Sequence, residues 1–117
     1  MRNRADLIGH VGNDPEIKTT QGGDKLATFR LATTERWKNK DGVKEERTEW
    51  HQITVWAEHL VDLCSKYVRK GSKLSVVGTI RTETYEKEGQ KHYATKIVLG
   101  RFDGEIILLD KKEQADA

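Results

Sequence analysis

Clusters of turn-forming residues punctuate the chain at short intervals: Asn13-Asp14-Pro15, Gln21-Gly22-Gly23-Asp24, Asn39-Lys40-Asp41-Gly42 and Glu86-Lys87-Glu88-Gly89. Gly supplies positive φ, Pro presets φ, and Asn and Asp bond their own backbone, so each cluster favours a chain reversal. The segments between them are rich in β-branched and aromatic residues. This alternation predicts strands near 4–12, 25–36, 46–56, 73–85 and 91–101, with a further short stretch near 104–109 after Asp103-Gly104.

One segment departs from the pattern. Ala57, Leu60, Val61, Cys64, Tyr67 and Val68 recur at the spacing of a single helix face. Arg69 and Lys70 suit the negative end of a helix dipole, and Gly71 suits a left-handed C-cap. The spacing therefore predicts a helix of about 13 residues between the third and fourth strands. Five strands with one helix after the third is the order of the OB-fold, a five-stranded Greek-key barrel. The expected class is all-β with one helix. Residues 1–109 form the expected domain and 110–117 a short tail.

Several classes are excluded. The longest apolar run, Ile106-Ile107-Leu108-Leu109, has four residues, far from the ~18 that cross a bilayer as a helix. The first six residues lead into no apolar signal-peptide region. A lone cysteine, Cys64, forbids an internal disulfide framework and an all-cysteine zinc site. Charged residues make up 34% of the 117 residues, against ~25% in typical globular chains. The expectation is a charged, intracellular domain with no membrane partner. The net charge of +2 conceals a distribution: Ser65–Thr82 holds five bases and no acid, whereas residues 110–117 hold three acids and two lysines. A local basic surface suits a polyanion.

Strand residues alternate between faces. Within Arg47–Trp56, Ile53 and Val55 share one face; Trp50, Gln52, Thr54 and Trp56 share the other. Two indoles are thus expected on the wetter side, where large aromatics mark binding. In the fourth strand Leu74, Val76, Gly78 and Ile80 form one face, and Tyr85 stands with Arg81 on the more polar one. Trp37 has the parity of Phe29 and Leu31, so only a bulge or bend would turn it outward; its basic neighbours Arg36, Lys38 and Lys40 make its case. Aromatics interleaved with Arg and Lys suit single-stranded nucleic acid. Bases stack on the rings at about 1–3 kcal/mol each, and cations meet the phosphates.

The series of motifs resembles the bacterial-type single-stranded DNA-binding proteins, the SSB family, over roughly residues 4–109. The carrying residues are Gly9-His10-Val11-Gly12-Asn13-Asp14-Pro15-Glu16, Leu31-Ala32-Thr33-Thr34-Glu35-Arg36-Trp37, Thr48-Glu49-Trp50-His51, Tyr67-Val68-Arg69-Lys70-Gly71-Ser72 and Gly78-Thr79-Ile80-Arg81-Thr82-Glu83-Thr84-Tyr85. The resemblance implies a homotetrameric OB-fold that binds single-stranded DNA without marked sequence preference, in replication, recombination and repair, in the cytoplasm at the nucleoid. It implies base stacking by Trp37, Trp50, Trp56 and Tyr85. It also implies subunit-interface roles for His51 and Tyr67. Lys70, Lys73 and Arg81 are candidate phosphate contacts, with Arg4, Arg30 and Lys96 as weaker ones. The family usually ends in a flexible linker and an acidic tip with terminal hydrophobes, which recruits repair and replication enzymes. Asp110–Ala117 has acids but neither that linker nor a terminal hydrophobe, as in a truncated chain or a naturally short member, which puts recruitment of that kind in doubt.

An enzyme is the rival class. Cys64 sits on the apolar helix face, where a packed thiol is expected. His10, His51, His59 and His92 form no metal-ligand spacing. Gly9-x-x-Gly12 leads to Pro15 and lacks the Gly-Lys-Ser/Thr of a phosphate loop. No catalysis, metal or cofactor is expected. The other live alternative is an OB module whose exposed tryptophans grip another protein.

Overall fold

A computed structural model describes residues 1–110. Seven strands and one helix follow in the order β1 (Ala5–Val11), β2 (Glu16–Thr19), β3 (Lys25–Lys38), β4 (Lys44–Val55), α1 (Glu58–Tyr67), β5 (Lys73–Lys87), β6 (Gln90–Leu99) and β7 (Glu105–Leu108). The sheet order is β1-β3-β4-β6-β5, and β1 also pairs with β5, so these five strands close into a barrel. All its pairings are antiparallel except β4 with β6. This is the OB-fold expected from the element order.

Period-2 alternation fills the barrel. Phe29, Leu31, Ile53, Val55, Leu74, Val76, Ile97 and Leu99 all point inward and are buried. Helix α1 closes one end with Leu60, Val61 and Cys64. Burial pushes the Cys64 thiol up to about 12, so it stays protonated at neutral pH and packs as a small apolar group.

Four local readings differ from the sequence expectation. The helix has ten residues and ends at Tyr67; Val68 is already extended, with φ −88°. Arg69 does serve the helix end, donating from Nη1 to the carbonyls of Ser65 and Val68. Gly71 is left-handed, φ 93°, but it belongs to a turn closed by Ser72 N–H on Arg69 O, and so does not cap the helix. Tyr67, placed by periodicity on the apolar face, lies in the last turn of α1 at the edge of the buried stripe of Leu60, Val61 and Cys64, and is 60% exposed. Strand β2 was not expected. Its four residues are all exposed and pair only with the start of β3, so burial imposes no alternation on them.

No helix among the described residues is long and apolar enough to cross a membrane. The tail expected at 110–117 lies outside the described residues beyond Asp110, whose carboxylate accepts from the Lys73 backbone N–H.

Candidate nucleic-acid interface

The register builds a row of side chains across the outer face. Arg30 pairs with Gln52, Gln52 with Lys96, and Lys96 with Arg81. Strands lie about 4.8 Å apart, so three cations span roughly 14 Å across β3, β4, β6 and β5. Lys96 is held at 2.9 Å by Glu83, also on this face.

Trp50 lies two residues along β4 from that row, on the same outward parity. It is 53% exposed, yet its ring has a defined seat. The Arg30 guanidinium carbon sits 4.7 Å from the ring centroid, within range of a cation–π contact. Gly12 lies under the ring so closely that a Cβ there would overlap it. The seat is clipped to β3 on both sides of Arg30: Gly12 N–H donates to Arg30 O, and Arg30 N–H donates to Asn13 Oδ1. Gly12, read from sequence as the end of the first strand, and Asn13, read as a turn residue, thus also position an indole.

Tyr85 lies four residues along β5 from Arg81, on the same side of the cation row as Trp50. It stacks on His92 with centroids 5.3 Å apart and planes at 21°. The sequence reading missed His92; its position opposite Tyr85 across the Glu86–Gly89 turn was the available signal.

Trp37 reaches the surface without a bulge. Pairing runs unbroken from Ala27↔Val55 to Lys38↔Lys44, so Trp37 keeps the parity of Phe29 and Leu31. The β3–β4 hairpin simply outruns the core, and the face that is buried at Leu31 is exposed at Trp37. There Trp37 lines a shallow cleft with Arg36, Lys38, Lys44, Glu45 and Glu46.

Trp56 does not share Trp50's platform. Strand β4 ends at Val55, and the two indoles are six residues apart, about 20 Å at 3.3 Å per residue. Thr54 between them is buried. Trp56 is half-buried, donates its backbone N–H to Leu99 O, and lines a separate cleft with Asp24, Lys25, His59 and Arg101. That cleft lies on the other side of the cation row.

The basic stretch Ser65–Thr82 also divides. Lys73 pairs with His10, His10 with Ala32, and Ala32 with Trp50. Lys73 therefore approaches Trp50 around the barrel from the side opposite Arg81. Lys70 joins it there, its backbone N–H bonded to Asp14 Oδ1 next to the Gly12–Asn13 clip. Arg4, just before β1 and paired with Asp6 at 3.2 Å, lies away from Lys70 and Lys73; Ala5 pairs with Gly78 and Asn3 bonds Ile80, which puts Arg4 near the Arg81 end of the cation row. His51 is half-buried with Nε2 2.9 Å from Thr33 Oγ1, on the parity opposite Trp50. Among the described residues no group of three or more His, Cys, Asp or Glu could hold a metal.

The comparisons agree with this architecture. Residues 2–103 match the model of the single-strand binding protein family. The chain belongs to that family. It is 46% identical over 112 residues to the single-stranded DNA-binding proteins of Rickettsia typhi and Rickettsia prowazekii, an alignment covering 94% of this chain and 74% of each relative. Among solved structures, a Plasmodium falciparum SSB in complex with ssDNA superposes with a TM-score of 0.89 at 41% identity, covering 94% of this chain and 96% of that one. A Thermus aquaticus single-stranded DNA-binding protein superposes with a TM-score of 0.77 at 21% identity, covering 95% of this chain and 52% of that one, a likeness of fold.

Proposed function

We infer that the protein binds single-stranded DNA without regard to sequence and protects exposed strands during replication, recombination and repair. The observation that carries this reading is the exposed Trp50 ring, seated on Arg30 and Gly12 beside the row Arg30, Lys96 and Arg81. Phosphates track the cations while bases leave their own stack for Trp50, Tyr85 and Trp37, with Trp56 serving a later part of the strand. Lys70 and Lys73 meet the backbone from the other side of Trp50. A duplex hides its base faces, so stacking selects single strands.

A homotetramer fits the same reading. On the outer side of the β1–β5–β7 sheet Ile8 pairs with Ser75 and Ser75 with Ile107, and both isoleucines are about half exposed. Covering them with sister subunits removes apolar surface from water. His51, near β1, and the exposed Tyr67 are then available to subunit contacts.

Fluorescence anisotropy with labelled oligo(dT), a mixed-sequence strand and the duplex of that strand tests the function. Similar affinity for both single strands and much weaker duplex binding is expected. Equal affinity for the duplex would refute stacking as the basis of recognition.

A further inference from the structure

The β6–β7 loop carries an aromatic that no other element covers. Phe102 is fully exposed, at 100%, and follows Arg101, which lines the Trp56 cleft. The loop is compactly held. Trp56 N–H is bonded to Leu99 O where the loop begins, and Gly104 packs against the Leu99 backbone so closely that a Cβ would meet its Cα at 2.8 Å. Phe102 is thus presented at the tip of a short turn anchored beside Trp56.

Arg101 supplies the second half of a nucleotide site. Its Nη2 lies 3.3 Å from Asp24 Oδ1, and both side chains are more than half exposed. Exposed pairs of this kind contribute little, so a phosphate can take the place of the carboxylate.

We propose that the bound strand continues past Trp56 onto the β6–β7 loop, where Phe102 stacks a base and Arg101 exchanges Asp24 for a phosphate. This rests on the single-strand-binding reading above and lengthens its path on the far side of the cation row. Asp24 is then a built-in competitor for the DNA backbone, and removing it tightens binding.

The test titrates the full chain with a long oligo(dT), following tryptophan fluorescence, for Phe102→Ala, Asp24→Asn, Arg101→Gln, the Asp24→Asn/Arg101→Gln pair, and Trp50→Ala as the control on the underlying reading. Phe102→Ala is expected to bind about fivefold to a hundredfold more weakly, the range for one stacked base. Asp24→Asn is expected to bind more tightly than wild type, and that gain should vanish in the Arg101→Gln background. Sedimentation of Phe102→Ala should match wild type, since the ring contacts DNA and not a sister subunit. Wild-type affinity in Phe102→Ala alongside a loss in Trp50→Ala would overturn this inference alone; wild-type affinity in both would remove the reading beneath it. An altered assembly state in Phe102→Ala, or an Asp24→Asn gain that persists without Arg101, would also overturn it.

Discussion

Replacing Gly12 with alanine isolates the seat of Trp50. The added Cβ would overlap the far edge of the indole, with Cη2 at 2.9 Å and Cε3 at 3.3 Å. The backbone at Gly12 has no positive φ, so the substitution brings no conformational strain of its own. The ring is half exposed and free to swing outward, which relieves the overlap at the cost of its contact with Arg30. That contact is worth about 0.5–1 kcal/mol at an exposed site, which bounds the loss of stability. The loss of DNA binding should be larger, about 1–3 kcal/mol, because a displaced indole no longer offers its face to a base. Chemical denaturation and an oligo(dT) titration of the same preparation measure the two quantities. In a Trp50→Ala background the Gly12→Ala change should cost nothing further in affinity. Wild-type affinity in Gly12→Ala, or an equal loss with and without Trp50, would refute the claim that Gly12 acts through the indole.

Three further outcomes are expected. Arg81→Gln and Lys96→Gln should each flatten the log–log salt dependence of oligo(dT) affinity by about 0.7, the value for one phosphate on a single strand; an unchanged slope would place that residue off the strand path. Because the folded state holds the Cys64 thiol at about 12 and an unfolded chain ionises it near 9, its contribution to stability is complete below pH 9 and is lost as pH rises toward 12; denaturation of wild type against Cys64→Ala across that window should show the falling difference, and parallel curves would contradict it. Ile8→Glu and Ile107→Glu should lower the sedimenting mass of the assembly while leaving the circular dichroism of the barrel intact; an unchanged mass would show that subunits do not meet on this face.

The barrel was legible because its interior imposes strict alternation: Phe29, Leu31, Ile53, Val55, Leu74 and Val76 are each followed by an outward residue, and turn chemistry marks several of the strand ends. Where burial stops, legibility stops. Strand β2 has no buried residue, and Tyr67, in the last turn of α1, lies at the edge of the stripe that Leu60, Val61 and Cys64 bury. On the candidate interface, the exposure of Trp50 and Tyr85 was visible by parity. Trp56, expected on the face of Trp50, follows the last residue of β4 and lines a separate cleft, a placement set by the β3 and β6 ends around it that the alternation of β4 alone does not contain. Trp37 emerged through hairpin length, a property of pairing across β3 and β4 that parity on one strand does not contain. The split of the basic stretch into two approaches to Trp50 depends on barrel closure, which linear charge counting cannot express.

In the function proposed, seated, exposed aromatics and a row of cations hold single-stranded DNA together. Tryptophan quenching by oligo(dT) at two salt concentrations measures both parts at once. Strong quenching, with affinity that falls as salt rises, is the expected result. An absence of quenching by a long oligo(dT) at low salt would contradict it.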